Sequence, residues 1–133
     1  MGALIDASVL IAAERGQLDL ERLLDDHADE DFALSAITAS ELLHGVHRAD
    51  SDARRGRRET YVEALLAAFP VIPFDLASAR LHARLQARVA AGGVTLGAHD
   101  LLIAATALAK DLDVVTRDER SFPRISELSL IRW

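Results

Sequence analysis

The chain has 133 residues, room for one domain at the usual length of roughly 150, and a single domain over residues 1–133 is expected. Half of its residues are hydrophobic and 27% are charged, a composition that buries a core and excludes a disordered chain. Cysteine is absent, which excludes disulfide scaffolds, cysteine-ligated zinc, iron–sulfur clusters and thiol catalysis. Fifteen basic against 21 acidic residues leave a formal charge of −6, and Lys110 is the one lysine, so a phosphate loop ending in Lys is excluded too. The opening Met1-Gly2-Ala3-Leu4-Ile5-Asp6 lacks a basic leader, and the apolar run Leu101–Ala109 falls short of the ~20 residues that span a bilayer. A soluble cytoplasmic protein without membrane association is expected.

Ala3–Asp6, a short apolar run closed by an acid, predicts a buried strand. Ser8–Arg15 predicts a short helix, and Leu18–His27 an amphipathic one with Leu18, Leu20, Leu23 and Leu24 on its inner side. Phe32–Ser35 reads as a second strand. Thr38–Arg48 reads as a helix opened by Thr38-Ala39-Ser40-Glu41, a pattern in which hydroxyl and carboxylate cap each other's amides and which puts Glu41 in the first turn. Asp52–Phe69 continues as a helix, basic at its start and apolar at its end. Val71–Phe74, bracketed by Pro70 and Pro73, predicts a strand at a sheet edge, because proline has no amide to give to a ladder. Asp75–Ala91 predicts a helix stopped by Gly92-Gly93. Ala98–Asp111 predicts a helix apolar on nearly every face. Asp113–Thr116 predicts a strand, Asp118–Ser121 a short helical turn and Leu128–Arg132 a last strand. Strands alternating with helices imply an α/β fold with a mainly parallel sheet.

Four acids stand where such a sheet builds its sites, beyond the carboxyl ends of strands. Asp6 closes the first strand, Asp118 follows the one ending at Thr116, Glu41 lies early in the helix after the second strand, and Asp100 heads the apolar helix. Each has a plain alternative role as a helix cap, contributing about 0.3–1 kcal/mol. Asp75, which also follows a strand and opens a helix, is the internal control for that role. Asp100 and Asp6 fit it poorly, since the segments behind them are apolar and draw the carboxylates inward. Two unit charges about 4 Å apart repel by about 4 kcal/mol at an effective dielectric of about 20, so converging acids call for a proton or a cation between them. Oxygen ligands alone select Mg²⁺ or Mn²⁺ over zinc.

Four stretches in order carry a resemblance. Leu4-Ile5-Asp6-Ala7-Ser8-Val9-Leu10-Ile11 resembles the opening motif of a PIN domain, and Ser35–Gly45 with Glu41 its second motif. Ala98-His99-Asp100-Leu101-Leu102-Ile103 resembles the third, and Val115-Thr116-Arg117-Asp118 the fourth. They span essentially the whole chain, whose compact length is similar to that of VapC toxins from toxin–antitoxin pairs. The resemblance implies a three-layer α/β/α sandwich and a Mg²⁺- or Mn²⁺-dependent ribonuclease cutting single-stranded or loop RNA. It implies an acidic pocket of Asp6, Glu41, Asp100 and Asp118. Asp6 and Asp100 would be direct metal ligands, Asp118 would bind a second ion or a bridging water, and Glu41 would complete the shell or orient the attacking water. Ser8 and Thr116 would hydrogen-bond these carboxylates. Paired cations about 3.5–4 Å apart suit such hydrolysis, with 5′-phosphate and 3′-hydroxyl products. A small antitoxin would cover the pocket, with Leu18–His27 and Thr38–Phe69 offering apolar faces to it, and a homodimer is the expected assembly.

Arg54, Arg55, Arg57 and Arg58, together with Arg15 and Arg117, are candidate RNA contacts, against the alternative of a solvated helix start. Three other readings compete. A histidine-based nuclease would use His44, His47 or His99 and work without metal. A phosphoacceptor domain needs a late lysine where this chain has Thr116-Arg117. A catalytically silent binding module of the same fold would act through protein or RNA partners.

Overall fold

The computed structural model describes residues 2–133. Five short strands form its centre: β1 (Gly2–Ile5), β2 (Asp31–Ser35), β3 (Val71–Ile72), β4 (Asp113–Thr116) and β5 (Leu130–Arg132). They pair in the order β3-β2-β1-β4-β5, every pair parallel. From β1 the chain winds outward to β2 and β3, then crosses back to β4 and continues to β5. Strand order therefore reverses between β1 and β4, the place where a doubly wound sheet opens a crevice.

Six helices cover the sheet: α1 (Ala7–Glu14), α2 (Leu20–Asp26), α3 (Ala36–His47), α4 (Asp52–Ala68), α5 (Leu76–Ala91) and α6 (Ala98–Ala109). The two-residue alternation of the strands divides the apolar side chains between two cores. Leu4, Ala33 and Val114 face one side and meet Leu85 of α5 and Leu101, Ile103 and Ala104 of α6. Ala3, Ile5, Leu34 and Val115 face the other and meet Val9 and Leu10 of α1, Leu42 and Val46 of α3, and Val62 and Leu65 of α4. The result is the expected three-layer α/β/α sandwich. A strand flanked by helices on both faces must be apolar throughout, as β1 is. Ile103, Ala104, Ala105 and Ala107 are fully excluded from solvent, so α6 is the buried helix its composition calls for. No helix among the described residues is long and apolar enough to cross a membrane.

Three local expectations are corrected. α3 starts at Ala36, not Thr38: the Ser35 hydroxyl accepts from the Thr38 amide at 3.0 Å and is the true cap, while Thr38 is buried inside the first turn. Glu41 is accordingly in the second turn, too far along to reach the cap. Residues 118–121 form no helical turn; the short 3₁₀ turn is Phe122–Arg124, begun by Phe122 and Pro123. The strand expected over Val71–Phe74 keeps only Val71–Ile72, at the edge, because Pro73 ends the ladder. Elsewhere the chain stops where its residues say it must, α5 giving way to Gly93 at φ +67°.

Candidate functional site

Asp6 leaves the carboxyl end of the central strand and precedes α1, yet its carboxylate caps nothing. It is 95% buried, and Oδ2 accepts two hydrogen bonds, from Ser8 Oγ at 2.7 Å and from Thr116 Oγ1 at 3.0 Å. Thr116, fully buried at the end of β4, also accepts the Asp118 amide at 2.9 Å, and Ser8 Oγ accepts the Arg117 amide at 3.1 Å. The hydroxyls expected to hold these acids thus tie the ends of β1 and β4 together at the strand-order reversal.

Asp118 differs from Asp6. Its Oδ1 accepts from the Arg120 amide at 2.9 Å and its Oδ2 from the Ser121 amide at 3.1 Å, so both oxygens shape the turn beyond β4. That turn presents the Ser121 hydroxyl to Asp100 and to the Gly97 amide, the latter at 3.4 Å. Gly97 itself makes room: a Cβ there would lie 2.8 Å from Asp100 Oδ2, so any larger residue would displace the carboxylate. Burial pushes the Asp100 carboxyl up, the Ser121 hydrogen bond opposes this, and the charges of Asp6 and Asp118 add to the rise.

Glu41, brought in by α3, is likewise pushed up, first by burial and then by Asp6, with His99 opposing. Its Oε2 lies 3.7 Å from His99 Nδ1, while its Oε1 is buried with no hydrogen-bond partner. The four acids foreseen from the sequence therefore share one electrostatic neighbourhood. His99, at the rim beside Glu41, joins them; His44, a turn farther along α3, lines the same cleft, and His47 does not.

No group of three or more Asp, Glu or His side chains among the described residues is drawn tightly enough to hold a metal ion. The donor chemistry nonetheless suits a hard divalent cation. The acids contribute oxygen alone, one buried carboxylate oxygen is orphaned, and two carboxyls are held back from ionising, first by burial and then by neighbouring acids. Glu41 and His99 also border a cavity of about 340 Å³ enclosed by α1, α3, α4 and α6. The linear sequence offered Arg15 and Arg58 of that cleft but not the cleft itself, because its walls come from four separate helices.

The model of the PIN domain matches residues 3–128. The chain belongs to the PIN-domain family. Among PIN relatives, a protein from Rickettsia bellii named Ribonuclease VapC is 32% identical over 131 residues, covering 98% of this chain and 96% of that protein. The VapBC-5 toxin–antitoxin structure from Mycobacterium tuberculosis superposes with a TM-score of 0.81 at 30% identity, over 99% of this chain and 98% of that one. DNA-bound VapBC from Salmonella typhimurium superposes with a TM-score of 0.89, covering 100% and 98%, and at 23% identity speaks for the fold. The PIN sandwich implied by the four motifs is thus the one observed.

Proposed function

We propose that the chain is a ribonuclease toxin that hydrolyses phosphodiester bonds in single-stranded or loop RNA with Mg²⁺ or Mn²⁺ and is silenced by a small cognate antitoxin. The single observation that carries this reading is the gathering of Asp6, Glu41, Asp100 and Asp118 at the β1/β4 reversal, in a chain whose relatives are named VapC ribonucleases. Asp6 and Asp100 would hold the cation directly, and Asp118, its oxygens shared with two backbone amides, would reach it through water. When bound, a divalent cation activates water and stabilises the leaving oxygen of the phosphodiester. The protein's part is to orient. Ser8 and Thr116 fix the Asp6 carboxylate, Gly97 and Ser121 seat that of Asp100, and Glu41 would complete the shell or orient the attacking water. The expected products are 5′-phosphate and 3′-hydroxyl ends.

Leu18, Leu20, Leu24, Leu65 and Phe69 line an open groove of about 680 Å³ between α2 and the end of α4. Its half-buried Leu18, Leu20 and Leu24 suit the apolar face of an antitoxin helix. Cytoplasmic action and a homodimer complete the reading, with Leu76 and Val71 available as exposed apolar surface.

The test is digestion of total cellular RNA by antitoxin-free protein with Mg²⁺ or Mn²⁺, with EDTA, and by Asp100→Asn protein purified identically, with fragment 5′ ends mapped. Discrete metal-dependent cuts bearing 5′-phosphate and absent from the variant support the proposal. Identical fragments from both proteins overturn the site, and no fragments at all favour the silent binding module.

A further inference from the structure

Beside the acidic cluster arginines gather. The cavity that begins at Glu41 and His99 runs between α1, α3 and α4, and three of its lining residues are Arg15, Arg48 and Arg58. We propose that this cleft is an RNA subsite, in which the arginines hold a backbone phosphate and the wall of Ile11 and Tyr61 receives the base of the nucleotide next to the scissile bond. The inference rests on the ribonuclease reading and extends it to a specific piece of substrate.

The charge arrangement points to an anion. A chain of formal charge −6, with its acids gathered at one site, repels RNA unless a cationic lane leads in. Arg15 and Arg48 are exposed, and neither is paired with a carboxylate among the described residues. Arg58 is held in the cleft by Glu14, 3.5 Å from its Nε, and donates to the Gly45 carbonyl at 3.3 Å. The other basic residues of its run are differently employed. Arg54 grips Asp50 with two 2.9 Å contacts, and Arg55 is shared between Asp52 and the Ala49 carbonyl. Structure thus sorts one arginine of the run toward the cleft and ties two to the helix start.

The apolar wall points to a base. Tyr61 is half-buried with its hydroxyl anchored on the Leu10 carbonyl at 2.7 Å, which steadies the ring, and Ile11 beside it is 37% exposed. Aromatic surface beside guanidinium groups is how unpaired nucleotides are bound without reading sequence. The volume of about 340 Å³ is at the small end of ligand pockets, which span roughly 300–1,000 Å³, and suits one splayed nucleotide, not a duplex. Glu14 lines the cleft as well and engages Arg58, so the charge free to hold an anion there is that of Arg15 and Arg48.

The test uses the full chain. Binding of a labelled single-stranded 12-nucleotide RNA of randomised sequence is measured with Asp100→Asn protein in Mg²⁺ across a salt series. It is repeated in that background with Arg15→Ala plus Arg48→Ala, and with the exposed α5 residue changed, Arg84→Ala. Thermal melting checks that all variants fold. The double variant should raise Kd roughly tenfold and flatten the slope of log affinity against log salt by about 0.7, the release expected for one phosphate contact on a single strand. Arg84→Ala should match the parent. In the cleaving protein the same pair should raise KM more than it lowers kcat. Unchanged Kd and slope, in a parent that binds RNA and a wild type that cleaves it, would overturn the subsite and leave the ribonuclease reading standing. Intact RNA binding with lost inhibition by the cognate antitoxin would assign the cleft to the partner and overturn the proposal equally. A parent that does not bind RNA, together with a wild type that does not cleave it, would overturn both.

Discussion

Asp75 and Asp100 both lie at the amino end of a helix, and their surroundings give them opposite characters. Asp75 caps α5: its Oδ1 accepts from the Ser78 amide and hydroxyl, both at 3.0 Å, and its Oδ2 pairs with Lys110 Nζ at 2.7 Å. These contacts, that of Lys110 foremost, hold its carboxyl well below the usual carboxylate range. Asp100 lies on the third residue of α6, partly buried among Asp6 and Asp118, and is pushed the other way. Lys110 caps the opposite end of that same α6, so one buried helix carries a lysine paired with a carboxylate at its far end and an acid without a cation partner at its near one. Carboxylates at helix starts are stabilising when a cation or amide meets them; where further carboxylates meet them instead, they form a site that waits for a cation.

The contrast is broken most forcefully by removing one acid of the cluster. Asp100→Asn should lower metal-dependent RNA cleavage by more than about 100-fold, the upper end of what loss of a metal ligand's outer partner causes, as read in single-turnover cleavage. The same substitution should raise the Tm of the metal-free protein near neutral pH, because a mutually repelling charge is gone.

Thr116→Val comes next. It removes the donor to Asp6 and the acceptor of the Asp118 amide while keeping the volume, and should cost about 1–3 kcal/mol in urea unfolding and about 10–100-fold in cleavage.

Proton linkage sharpens the comparison further. Glu41 and Asp100 have folded-state pKa values above their ordinary 4.5 and 3.8, so the stability they contribute is full below those values and is lost as pH rises through the raised ones. Metal-free wild type should therefore lose stability relative to Glu41→Gln as pH rises above the ordinary 4.5, in urea unfolding. Asp75 has the opposite sign. Its contribution is present above its ordinary 3.8 and fades as pH falls through its depressed folded value.

The smallest effect belongs to Asp75→Asn. Its exposed ion pair is screened by solvent, so Tm should fall slightly at neutral pH, the difference should close in acid, and cleavage should stay within about twofold of wild type.

Much of this was legible in the sequence, and the reason differs by feature. Strand and helix order follows from apolar runs and punctuating Gly and Pro, and a wholly apolar β1 and α6 can only be central. Asp6 and Asp100 stand out because polar groups closing apolar segments are rare there. The start of α3 was misplaced because Ser35 and Thr38 can each cap, and choosing between them depends on where β2 ends. Asp118 was set apart from Asp6 and Asp100 only by the resemblance; that its two oxygens spend their hydrogen bonds on its own turn is a local geometry that no spacing encodes. The partner of Asp75 lies 35 residues away, and the arginine cleft joins α1, α3 and α4; such contacts exist only once the layers are assembled.

The central claim is that the acids at the β1/β4 reversal form a cation site and the acid at α5 does not. Electron paramagnetic resonance titration of Mn²⁺ into wild type, Asp100→Asn and Asp75→Asn protein tests it without recourse to activity. The account predicts saturable binding by wild type and Asp75→Asn that is lost or weakened by more than tenfold in Asp100→Asn. Equal Mn²⁺ binding by all three proteins, or equal loss from both variants, would contradict it.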